Sequence, residues 1–217
     1  MHGLTLARGA GSPLRILCLG AHSDDIEIGC GGAVLSLLAR HPRSSVRWVV
    51  FSGDAARAAE ARASAADFLA AAGERDVRTL EFRESHFPWQ GAALKAACEA
   101  QTDFAPDLIF THRESDRHQD HRLIAELTWN TFRDHLILGY EIPKWDGDLG
   151  NPQAFVPLDA RVCREKVRLL LKHFASQAGR HWFDEELFLG LMRMRGVECR
   201  SPSGYAEGFD ARKWVLG

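Results

Sequence analysis

Short apolar runs alternate along the chain with longer stretches of helical period, and this rhythm narrows the fold more than any other feature of the sequence. Runs rich in Val, Ile, Leu and Phe fall at 14–20 ("LRILCLG"), 46–51 ("VRWVVF"), 77–82 ("VRTLEF"), 107–111 ("DLIFT") and 136–142 ("LILGYEI"), with a further short strand at 154–158. Between them "GGAVLSLLAR", "AARAAEARASAADFLAAAG", "GAALKAACEAQTDF" and "HQDHRLIAELTWNTFRDH" read as helices. The second is expected to close at Gly73, where a left-handed cap costs glycine little. Repeated strand–helix units bury their apolar faces as a mostly parallel sheet with helices packed on it, an α/β architecture. After 158 two helices follow, "DARVCREKVRLLLKHFASQ" and "DEELFLGLMRMRG", the latter carrying Leu187, Leu191 and Met194 as a core or subunit-interface stripe.

With 217 residues, 46% of them hydrophobic, the chain is expected to form one domain over 1–217 with one sizeable core and a loose tail at 1–12. A formal charge of −2 supplies no basic field for a phosphate backbone, so nucleic acid is not an expected partner. Cys18, Cys30, Cys98, Cys163 and Cys199 stand far apart with no C-x-x-C pair. That spacing argues against a zinc ribbon or a disulfide framework and fits a reducing cytoplasm. No stretch approaches the ~20 apolar residues of a membrane span, and the N-terminal apolar run is too short for a signal peptide. The expectation is a cytoplasmic protein without membrane insertion, whose late apolar helix allows assembly into a homo-oligomer.

The polar chemistry gathers at two strand ends. "GAHSDDIEIGCGG" (20–32) follows the first strand and "THRESDRHQDHR" (111–122) overlaps the end of the strand "DLIFT". Ligands of an open parallel sheet bind beyond the carboxyl ends of its strands, so the two clusters can meet. His22 and Asp25 are three residues apart, as are His118 and His121, a spacing that turns both members of a pair toward one side of a helical first turn. Imidazoles and a carboxylate from two loops would hold a metal and leave coordination positions open for water. A helix cap accounts for one aspartate but not for Asp24 and Asp25 beside His22. For Asp120 a cap and a histidine partner both stay open. The segment "GYEIPKWDGDLGNPQAFVP" reads as a substrate-side flap.

On "AHSDDIEIGCGG" and "PDLIFTHRESDRHQDH" the chain resembles the PIG-L or LmbE-like family of metal-dependent N-acetyl-sugar deacetylases. That family's signatures are A-H-P-D-D-E before a glycine-rich stretch and H-x-D-H after a "PD-apolar-apolar" strand. "FSGDAARAAE" and "YAEGF" agree, so the resemblance spans most of the chain. It departs at Ser23, where proline is usual, and at Ile26, where glutamate is usual, although Glu27 follows at once. The resemblance implies a Rossmann-like three-layer sandwich. It also implies that His22, Asp25 and His121 bind a divalent metal, most simply Zn2+ with Fe2+ as an alternative, and that Asp24 is the general base. His118 would stabilise the oxyanion and Asp120 would orient a histidine, with Asp24 or His118 delivering the proton to the leaving amine. The implied substrate is a small amino-sugar molecule, an N-acetylglucosamine unit attached to another group, with acetate as second product. Arg57, Glu141, Trp145 and Tyr205 are the expected contacts around its ring.

Three rival readings are weaker. "HSD" with a distant histidine also spells the H-x-D…H triad of non-haem Fe(II) oxygenases, but that triad belongs mostly to all-β jelly rolls, which the strand–helix rhythm opposes. "GCGG" prompts a nucleotide-binding turn, yet its first glycine comes about nine residues after the strand and the phosphate-binding pattern fails. A non-catalytic sugar-binding relative would be expected to lose Asp24 or a metal ligand, and this chain keeps them all.

Overall fold

A computed structural model describes residues 12–214, so the expected tail at 1–12 lies outside the described residues apart from Ser12. The first half alternates strictly: β1 (Arg15–Gly20), α1 (Asp25–Arg40), β2 (Ser45–Ser52), α2 (Ala55–Phe68), β3 (Glu74–Phe82), α3 (Gly91–Glu99), β4 (Leu108–His112), α4 (Gln119–Thr131) and β5 (Ile137–Tyr140). Then come β6 (Ala154–Leu158), α5 (Ala160–His173), α6 (Glu185–Glu198) and β7 (Tyr205–Ala211). The seven strands form one sheet in the order β3-β2-β1-β4-β5-β7-β6. β1 to β5 run parallel, and β7 is antiparallel to both of its neighbours.

Successive side chains of a strand point to opposite faces, and β1 shows what this does here. Ile16 and Cys18 enter a core shared with α1, α2, α5 and α6, whereas Leu17 and Leu19 enter a second core shared with α3 and α4. Helices therefore cover both faces of the sheet, giving the three-layer α/β sandwich and not the jelly roll that the iron-oxygenase reading requires. Among the described residues no helix is long and apolar enough to cross a membrane.

Two local expectations need correction, and one strand goes unannounced by the sequence pattern. β7 grows from "YAEGFDA", in which Glu207, Gly208 and Asp210 break up the apolar alternation that would have marked a strand. α2 stops at Phe68, not at Gly73. Gly73 instead leads into β3, its N–H donating to the Ser44 carbonyl at 2.9 Å, and a Cβ there would lie 2.8 Å from the Arg43 backbone. On α6 the stripe facing the core is Phe188, Met192 and Arg195, while Met194 is 42% exposed.

α1 is fixed at two points behind its first turn. Its Gly29 lies under the Tyr140 ring, where a Cβ would approach Cδ2 to 2.1 Å, and the Tyr140 hydroxyl donates to the Leu19 carbonyl at 2.7 Å. Further along, the Glu207 carboxylate accepts the N–H groups of Gly32 and Ala33 at 2.9 and 2.7 Å. Lys166 Nζ donates to Glu207 at 2.7 Å and to the Ile28 carbonyl at 2.6 Å. The strand order reverses between β1 and β4, and the crevice beyond their carboxyl ends is where such sheets bind ligands. Both polar clusters of the sequence open into it.

Candidate active site

The turn after β1 is held by its own side chains. The Asp25 carboxylate accepts the His22 N–H at 2.7 Å, which folds the chain back at the start of α1. Asp24 occupies the cap position of α1 but makes no capping hydrogen bond. Its Oδ1 lies 3.3 Å from Arg57 Nη2, and its buried Oδ2 has no partner. The cap of α4 is His118, whose Nδ1 accepts the Asp120 N–H at 3.2 Å. That leaves the Asp120 carboxylate for other work: it accepts the N–H groups of Ser85 and Phe87 at 2.6 and 3.1 Å and meets His22 Nε2 at 3.2 Å.

His22 and His121 each have their outer ring nitrogen on a carboxylate. His22 Nε2 faces Asp120, and His121 Nδ1 faces Asp116 at 3.1 Å. With those N–H bonds committed outward, the remaining nitrogens, His22 Nδ1 and His121 Nε2, face each other at 3.1 Å. Asp25 completes the triangle, 3.3 Å from His22 Nδ1 and 3.5 Å from His121 Nε2. Donor atoms around one tetrahedral zinc, each ~2.0–2.1 Å from it, stand about 3.3 Å apart. The triangle has that spacing, and two imidazole nitrogens beside a carboxylate need a shared positive charge. His118 and His112 widen the donor set: His22, His118 and His121 form one cluster able to hold a metal ion, and Asp25, His112 and His121 another.

The charges reflect this crowding. Burial works against a proton on His22, but Asp25 and Asp120 outweigh it and hold the ring at about 10. Burial and the neighbouring His112 bring His121 down to about 3. One proton, on His22, thus supplies the cluster's positive charge. Asp25 is buried, which opposes ionisation, yet His121, His112 and His22 keep it well below the usual carboxylate range. Burial and the charge of Asp25 push Asp24 up to about 6, against the pull of Arg57 and His22. Burial and the charge of His22 lower His118.

The other expected contacts are dispersed. Arg57 bridges Asp24 and Glu84, with its Nη1 donating to Glu84 Oε2 at 2.8 Å. Trp145 is 67% exposed on the loop after β5, and its Nε1 donates to His181 at 2.6 Å. Glu141 is buried with both oxygens engaged by Arg195 at 2.6 and 2.8 Å. Tyr205 starts β7 beneath the Arg193 guanidinium, 5.8 Å from the ring centroid. Neither Glu141 nor Tyr205 makes a hydrogen bond or ring contact with the histidine cluster among the described residues.

Three residues at the site escaped the spacing argument: His112, stacked on His121 with centroids 3.9 Å apart, Asp116, and Lys144, which lies 3.0 Å from Asp116. His112 and Asp116 lie inside the quoted "THRESDRHQDHR", so the density of that cluster was the available signal. Lys144 reaches the site across a loop, and no local spacing announces it.

A three-layer sheet with a histidine–carboxylate cluster at its switch point defines a class of α/β proteins with a metal-competent crevice. Within that class the chain belongs to the PIG-L family, described as GlcNAc-PI de-N-acetylase, whose pattern matches residues 17–132. It is 30% identical over 172 residues to an uncharacterized deacetylase, YaiS, of Escherichia coli K12, covering 73% of this chain and 89% of that protein. N,N'-diacetylchitobiose deacetylase from Pyrococcus horikoshii superposes with a TM-score of 0.74 at 19% identity, over 95% of this chain and 85% of that one. GalB, the 4-carboxy-2-hydroxymuconate hydratase of Pseudomonas putida KT2440, superposes equally well, with a TM-score of 0.75 at 17% identity over 94% and 98% of the two chains. One fold thus carries two named reactions, and the reaction of this chain has to be argued from its site.

Proposed function

We propose that the chain is a metal-dependent N-deacetylase that hydrolyses the acetamide of an N-acetylglucosamine-type sugar or glycoconjugate and releases acetate. The observation that carries this reading is the convergence of His22 Nδ1, Asp25 and His121 Nε2 beside a buried Asp24 oxygen that has no partner. His22, Asp25 and His121 would hold a divalent cation, most simply Zn2+. Such a cation supplies Lewis acidity, bringing the pKa of water toward ~7 and polarising a carbonyl.

Asp24 takes a proton from the attacking water as the new C–O bond forms. A carboxyl at about 6 suits that task near neutral pH, because it is ionised there and still basic enough to accept. His118, at the edge of the cluster, donates toward the developing oxyanion. The C–N bond then breaks, the proton held by Asp24 passes to the departing amine, and acetate leaves. Arg57, 3.3 Å from Asp24, would steady that carboxylate, and the exposed Trp145, one face of which stacks on His181, would offer its other face to the sugar. Family membership and the deacetylase relatives support this over a hydratase reaction; a hydratase would leave the acetamide intact.

The test is acetate release from a panel of N-acetylated sugars by protein freed of metal and then reloaded. Reloading is expected to restore turnover. Asp24→Ala is expected to keep the cation while losing about 10²–10⁴-fold in turnover, the range typical of a general base. Full activity in Asp24→Ala, or activity indifferent to metal removal, contradicts the proposal.

A further inference from the structure

We propose that Lys144 is a positioning residue that ties the loop 141–153 to the candidate ligand His121, so that cation binding and ordering of this loop are one coupled event. This rests on the metal-dependent reading above.

The connection is a continuous chain of charged contacts. The buried Asp116 carboxylate reaches His121 Nδ1 with Oδ2 at 3.1 Å and accepts the His118 N–H with Oδ1 at 2.8 Å. Lys144 Nζ sits on that same Oδ1 at 3.0 Å. On its other side Lys144 donates to both oxygens of Asp148, at 2.9 and 2.8 Å. Asp148 in turn accepts the Arg117 N–H at 2.7 Å, with Arg113 Nη2 at 3.5 Å. Lys144, Asp148 and Asp116 have side-chain exposures of 12%, 4% and 0%, so this is an interior bridge and not a solvated surface pair.

Its chemistry works in two directions. Asp116 fixes which nitrogen of His121 carries the proton and therefore which one is free for a cation. A carboxylate behind a ligating histidine sets both ring orientation and basicity, and losing such support typically costs about 10–100-fold in metal affinity. Lys144 holds Asp116 in place and shares its charge. Without the ammonium, Asp116 and Asp148 would lose the cation between them, Asp148 would keep only the Arg117 N–H and Arg113, and the loop that carries Trp145 would lose its tie to Asp116. A cation that stiffens His121 therefore stiffens Asp116, Lys144 and the loop, and by reciprocity an ordered loop tightens cation binding.

The experiment titrates metal-free full-length protein with Zn2+ by calorimetry and follows hydrogen exchange of residues 141–153 with and without Zn2+. In the wild type, Zn2+ is expected to slow exchange in the loop. Lys144→Met is expected to weaken Zn2+ binding about tenfold and to abolish the loop's response, and Lys144→Arg to restore both. Asp148→Asn alters a contact inside the loop and leaves Lys144 on Asp116; it is expected to bind Zn2+ within about threefold of wild type and to keep the loop's response. Zn2+ binding and loop response in Lys144→Met equal to wild type overturn the inference, and so does loss of the loop response in Asp148→Asn, which would put the tie at Asp148 and not at Lys144. A wild type that fails to bind Zn2+ overturns the metal reading itself, an outcome distinct from these.

Discussion

Asp24 and Asp25 are neighbours with identical side chains, and their surroundings give them opposite characters. Asp25 lies among three imidazoles and stays ionised; Asp24 is buried beside that charge and is pushed up to about 6. Two titratable groups driven apart in this way support the proposed division between holding a cation and moving a proton. Glu27, two residues on, is a different case. It is fully buried, and burial raises its pKa well above the usual range against the opposing pull of the neighbouring Ser64 hydroxyl. A carboxyl raised on folding contributes stability that is fully present below its unfolded pKa of about 4.3 and declines as pH rises through the native value. Glu27→Gln is therefore expected to match wild type near pH 4 and to be more stable by about 1–3 kcal/mol at neutral pH, as read by urea denaturation across pH. Equal gains at both pH values would show that Glu27 is ionised in the fold.

Among the elements, α1 follows the turn that carries His22 and Asp24 and is clamped from behind by Lys166 and Glu207. Removing one partner of a buried ion pair typically costs about 3–5 kcal/mol, whereas replacing both with apolar groups is often neutral. Glu207→Leu alone should melt well below wild type, and adding Lys166→Met should recover only part of the loss, because the Gly32 and Ala33 N–H groups still lack their acceptor; calorimetric melting of the set decides it. Elements were legible in the sequence where an apolar run coincided with a strand, as in β1, β2 and β4. β7 was not, because its charges and glycine are explained by partners far away, such as α1's N–H groups on Glu207. The candidate site divides the same way. His22, Asp25 and His121 stand at turn positions with local spacing, while Asp116 and Lys144 come into place only through the paths of irregular loops. Nothing local to Glu141 reveals its pairing with Arg195, 54 residues on.

At the scale of the molecule, the sheet's reversal between β1 and β4 brings two loops, 99 residues apart at His22 and His121, to one crevice. His22 carries the cluster's proton up to about pH 10, so a cation must displace it. Zn2+ binding between pH 6 and 8 should release about one proton per ion, with affinity rising as pH rises, which calorimetry in buffers of different ionisation enthalpy will read. Proton-independent binding would place the cation elsewhere. The most direct measurement is zinc-edge anomalous diffraction from Zn2+-loaded crystals. We predict one strong peak bounded by His22 Nδ1, the Asp25 carboxylate and His121 Nε2; a peak remote from those atoms, or none at saturating Zn2+, would contradict the account.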